Sequence, residues 1–108
     1  MPLRDEIAEL LSLPENGDGA PSLDAIESTL THGYAAALEL EAERWRIERR
    51  LGEVARDADE VKAHSVAAEL AQLSERLETT DGELAGLRSL LHKLQSVRRR
   101  RKAAAPRS

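Results

Sequence analysis

The side chains able to do chemistry in this sequence are few and far apart. Its three histidines, His32, His64 and His92, are separated by 32 and 28 residues and give no metal-ligand spacing of the His-x-x-x-His kind. Cysteine is absent, which removes disulfides, thiolate metal sites and a thiol nucleophile. No glycine-rich loop follows a strand to cradle phosphate. The Glu-x-x-His motif of di-iron helical bundles does not occur. The expectation is a chain without catalytic, cofactor-binding or metal-ligating residues, and hence not an enzyme.

What the sequence does carry is binding chemistry. The segment from Glu39 to Arg50 interleaves acids and arginines around the single tryptophan, Trp45. Tyr34 and Leu38 lie one helical turn apart, and Trp45 follows two turns later, so all three share a helical face. Trp and Arg are the residue types that dominate the centres of protein interfaces. Tyr34, Leu38, Arg44, Trp45 and Arg49 are therefore the expected partner-binding residues, set against the plainer reading of a solvated helix face. Within that face the spacings pair Glu41 with Arg44, Glu43 with Arg46 and Arg44 with Glu48. A second feature is the run Arg98-Arg99-Arg100-Arg101-Lys102. The last eleven residues hold six basic side chains and no acid, while the rest of the chain holds twenty acids against ten basic residues. Such a cluster can neutralise phosphates of nucleic acid, an anionic surface or an acidic protein, or it can simply complement the negative end of a helix. No aromatic is interleaved for base stacking, and a basic-leucine-zipper protein places its basic helix before the zipper rather than after it.

These residues must be positioned by helices. The chain of 108 residues has room for one domain; it has no Phe and only two aromatics, Tyr34 and Trp45, so a bulky globular core is excluded. Its apolar residues instead repeat every seven. From Leu23 the a and d positions are Leu23, Ile26, Leu30, Gly33, Ala37, Leu40, Arg44, Ile47, Leu51, Val54, Ala58 and Val61. A second series runs Ala63, Val66, Leu70, Leu73, Leu77, Thr80, Leu84, Leu87, Leu91 and Leu94. Steps of three and four keep one apolar seam on one side of a helix, the coiled-coil pattern. The two series are out of phase, since 40 residues separate Leu23 from Ala63 and 40 is not a multiple of seven. The spacing therefore predicts a reversal near Arg56–Glu60, where Asp57 and Glu60 form a capping-box pair. The fold class is all-α: a long antiparallel helical hairpin, with one unbroken dimerising rod as the competing arrangement.

The boundaries follow from caps and breakers. Residues 1–21 comprise a short amphipathic helix over 2–13, with Leu3, Ile7, Leu10 and Leu11 on one face, and the linker Pro14–Pro21, rich in turn formers. A helix this short is marginal alone, so it either folds back on the hairpin or binds a partner. Ser22 caps the first long helix, expected over 22–56; a turn at 57–59 and a second helix over 60–101 follow. Thr80 and Glu83 have capping-box spacing, which opens a three-helix alternative, but Leu77 to Leu84 is one heptad and the phase survives. Residues 102–108 are expected to form a disordered basic tail. Arg44, at an a position, either snorkels or meets a carboxylate across the seam.

A reversal near 58 would set residue i opposite roughly 116 − i along antiparallel helices. Gly33 then faces Glu83, Tyr34 faces Gly82, and Ala37 faces Thr79 beside Thr80. Gly33, Ala37, Thr80 and Gly82 would form a notch of small residues, either a packing deficit or a place for an inserted side chain. Taken together the sequence describes a non-enzymatic protein-interaction module (adaptor, regulator or scaffold) that self-associates, with a homodimer the first expectation. Nucleic-acid or anionic-surface binding through the basic cluster is the alternative. No stretch is apolar enough to span a membrane, and the acidic N-terminus lacks the features of a secretory leader. Absence of cysteine fits a cytoplasmic protein, and thirteen Arg against three Lys fits a bacterial one.

Overall fold

In the computed structural model, residues 2–56 and 63–104 are described. They form three helices, α1 (Pro2–Ser12), α2 (Leu23–Arg56) and α3 (Ala63–Ala104). Ser22 caps α2 as its chemistry requires: its Oγ accepts from the Ala25 amide at 3.0 Å, and its carbonyl takes the Ile26 amide at 3.1 Å. α3 passes unbroken through Thr80–Glu83, so the three-helix alternative does not hold. The chain reverses: α2 and α3 pack antiparallel, and the rod is excluded by ion pairs within one chain. Arg50 meets Glu69 at 2.9 Å, Glu43 meets Arg76 at 2.8 Å and Arg44 meets Asp81 at 3.3 Å, so advance along α2 is retreat along α3. The expected turn at 57–59 and the start of the second helix at 60 lie outside the described residues. None of the helices, among the described residues, is long and apolar enough to cross a membrane.

The chain divides into two compact units. The first joins α1 and the linker to the opening turns of α2 and the closing turns of α3, residues 1–37 and 86–108. Ile7, Ile26, Leu30, Leu87, Leu91 and Leu94 are buried there, Ile7 completely at 0% exposure. The short helix thus folds back, which settles how an 11-residue helix too brief to persist alone is held. Arg4 lies over Gly86, where any Cβ would collide with its guanidinium. Gly17 and Gly19 turn the linker with φ of 81° and 86°, a region open mainly to glycine.

The second unit, residues 38–85, is a two-helix segment. Ile47, Val54 and Leu73 are its buried centre, and Leu51, Val66, Leu70 and Leu77 pack against them. All of these are a or d residues of the two series.

Two expectations change. The helix expected to stop at 101 continues to Ala104, so Arg98–Lys102 stand on α3 and residues 102–104 are not a disordered tail. The register is also displaced along α3. Gly33 lies under the Leu91 side chain rather than opposite Glu83, because an apolar side chain fills the space over a buried glycine better than a carboxylate does. Gly82 is exposed, with open space where a Cβ would stand, and so does not contribute to a notch. Replacing Gly33 with Leu should therefore overpack the seam and destabilise the hairpin by about 1–3 kcal/mol. Thermal denaturation followed by circular dichroism should show a lower Tm, partly restored when Leu91→Ala is added. A raised Tm for Gly33→Leu alone would mean that the space over Gly33 is empty.

Candidate interaction surface

Among the described residues four large apolar side chains stand exposed: Leu13, Tyr34, Leu38 and Trp45. Leu38 and Trp45 belong to the second unit and stand one heptad apart on the outside of α2, with 66% and 59% of their surfaces exposed. Both directly follow seam residues, Ala37 and Arg44, so the helix turns them off the buried stripe onto its flank. The Arg49 guanidinium lies over the Trp45 ring, 5.4 Å from its centroid, and also meets Glu53 at 3.4 Å. A cation held over an exposed indole gains about 0.5–1 kcal/mol, and more when water is removed.

Arg44 resolves the question its seam position raised. Its Nε reaches Glu48 at 3.1 Å and Asp81 of α3 at 3.3 Å. The side chain is about half exposed, so the stem crosses the seam edge and the charge stays in water. The Glu48 hydrogen bond first, then the Asp81 charge, raises its pKa further above the ordinary arginine value. Arg44 therefore serves the hairpin, and the free surface consists of Leu38, Trp45 and Arg49. Glu43 is the acid the sequence did not single out for a cross-helix role. It accepts from Arg46 at 2.9 Å and from Arg76 at 2.8 Å, and these two bonds, Arg46 first, hold its pKa below the usual carboxylate value. Of the intrahelical pairs expected, Glu43–Arg46 and Arg44–Glu48 form, and the Glu41 charge also acts on Arg44.

Tyr34 belongs to the first unit and is 44% exposed. It lines a shallow groove of about 330 Å³ with Glu27, Leu30, Thr31, Gln95 and Arg98. The basic cluster sits in the same unit, and its five side chains are engaged within the chain. Arg98 and Lys102 meet Glu27 at 3.2 and 3.7 Å. Arg99 donates to Ser96 at 3.2 Å, and Arg101 donates to the Pro21 carbonyl at 2.6 Å. Arg100 grips Glu15 through two bonds, one from Nε at 3.1 Å. The cluster thus ties the linker to the end of α3. His32, His64 and His92 are all exposed, and no group of three or more potential metal ligands occurs among the described residues. Gly33 and Ala37 are buried in the first unit and Thr80 in the second. They are seam positions, and Thr80 also lines a shallow groove with Gln72, Glu75, Arg76, Thr79 and Glu83. Compared with protein-family models, curated proteins and solved structures, the chain matches none.

The Glu15–Arg100 pair makes the linker's hold dependent on pH. The Arg100 hydrogen bond lowers the Glu15 pKa, so the pair contributes above the unfolded carboxylate pKa and is lost as pH falls through the lower folded value. Acidification below the usual carboxylate range should free the linker before the seam melts. A probe at Leu13 should report this as increased mobility, and Glu15→Gln should show the mobile state already at neutral pH. A probe equally immobile in both proteins at pH 7 would show that the pair does not hold the linker.

Proposed function

We propose that this chain is a non-enzymatic helical-hairpin module of the cytoplasm that acts by binding protein, as an adaptor, regulator or scaffold. The observation that carries the reading is the exposure of Leu38 and Trp45 while the hairpin's own core is complete without them. Adjacent large apolar side chains left in water on a rigid helix are the signature of a surface awaiting cover, and Trp beside Arg is the pair most often found where binding energy concentrates. The lack of cysteine agrees with a reducing compartment. The basic cluster supports this reading more than an anionic partner, because its charges are answered by Glu15, Glu27 and the Pro21 carbonyl. Binding phosphate would first require those bonds to open.

Affinity capture from cell extract at 0.5 M salt, with wild type beside Trp45→Ala, Leu38→Ala and a chain ending at Val97, tests the proposal. A surface of apolar contacts survives salt, whereas phosphate binding weakens steeply. The expected outcome is loss of bound protein, whether another chain or a second copy, for Trp45→Ala by at least tenfold, with helix content unchanged. Retention by Trp45→Ala and Leu38→Ala together with loss at high salt would move the function to the basic residues.

A further inference from the structure

We infer that the protein held at Leu38 and Trp45 is a second copy of this chain, laid antiparallel across the first with its dyad beside Ala42. The inference rests on the preceding reading and names its partner. Leu38-Glu39 and Trp45-Arg46 are two consecutive pairs, each an apolar residue followed by a charge of opposite sign, separated by seven residues. Seven residues are about two turns and about 10 Å, so the pairs stand one above the other on the same flank of α2. All four side chains are exposed.

A two-fold axis passing beside Ala42 exchanges the two pairs, whose midpoints lie equally far from it on either side. Leu38 of one copy then covers Trp45 of the other, and Glu39 of one meets Arg46 of the other, each contact occurring twice. Among the described residues Glu39 forms no ion pair, and Arg46 pairs with Glu43 on its own helix, with most of its side chain in water. Ala42, exposed and small, lies midway, where two helices must approach most closely. Arg49 lies over the Trp45 ring, so the indole would be covered by its own guanidinium and the other copy's leucine, the desolvated setting in which a cation over a ring gains most. Glu41, the acid nearest the axis, is turned electrostatically to Arg44 of its own chain.

Charge patterning selects the direction. Copies laid parallel in register would set Glu39 against Glu39 and Arg46 against Arg46, and would stack leucine on leucine and indole on indole. Antiparallel crossing replaces both like-charge contacts with opposite ones. An isologous contact of this kind closes on itself at two copies, and its small size makes it reversible with dilution.

The test uses a chain without native cysteine. Sedimentation across a concentration series should show a monomer–dimer equilibrium for wild type, with Trp45 emission shifting to the blue as dimer forms. Glu39→Arg and Arg46→Glu should each weaken the dimer at least fivefold, and the double exchange should recover most of the loss. Ala42→Cys should form a disulfide dimer under mild oxidation, and Gly52→Cys, far from the axis, should not. Efficient cross-linking through Gly52→Cys would overturn the antiparallel geometry, as would charge exchange without recovery. A chain monomeric at every concentration would overturn self-pairing altogether. If Trp45→Ala still abolishes capture of another protein in that case, the interaction surface stands and only its partner changes.

Discussion

Each unit of this structure depends on apolar contact between α2 and α3, which in the first unit α1 supplements with Ile7. A chain with no phenylalanine and a single tryptophan cannot build a deep core, so the sequestration of Leu, Ile and Val between α2 and α3 is the principal source of burial. The residues it takes are nearly all a and d members of the two series, and the residues one step off it are left in water. That division explains why the charged side chains flank the seam. Pairs such as Arg50–Glu69 and Glu43–Arg76 lie on its margins, where each is worth little to stability. Their orientation nevertheless penalises other alignments of the helices.

Alignment is where the sequence stopped being legible. The helices, the cap at Ser22 and the chain reversal follow from the spacing of apolar residues, because a phase break in a seven-residue pattern has few physical solutions. Register does not follow in the same way. Leu84 and Leu91 are one heptad apart, as are Leu70 and Leu77, so sliding α3 by seven residues offers α2 almost the same surface. The level of Gly33 illustrates the degeneracy. Counting back from an assumed turn brings it beside Leu84, whereas Leu91, the equivalent residue one heptad on, occupies it. A seam built from one residue type specifies that helices pair far better than it specifies where.

The internal partners of the basic cluster are hidden for a different reason. Five consecutive cations suggest an external anion because their internal partners are invisible in a linear reading: Glu27 lies 71 residues before Arg98, and Glu15 lies 85 before Arg100. Folding brings the acidic N-terminal segment to the basic end of α3, and the charge asymmetry of the sequence becomes a contact. The same contact bears on α1. Eleven residues with one fully buried isoleucine form a weakly anchored helix, so what holds the linker also raises the effective concentration of Ile7 at its groove. The arginines therefore act on the fold through the chain entropy of the N-terminal segment, a role no local motif announces.

Trp45 stands apart from all of these constraints. Its neighbours in sequence serve the hairpin: Arg44 reaches Asp81, and Arg46 and Arg76 share Glu43. The indole contacts its own helix through Arg49 and contributes little to the seam, since more than half of its surface is in water. Removing a side chain so placed should cost the fold far less than the 3–5 kcal/mol typical of a buried Trp, yet a large aromatic surface left wet is unfavourable whenever cover is at hand. A residue that adds little to folding and has much to gain from cover is the one on which the proposed binding surface rests. The seam makes that separation possible, because it completes the hairpin without drawing on the flank that carries Leu38 and Trp45.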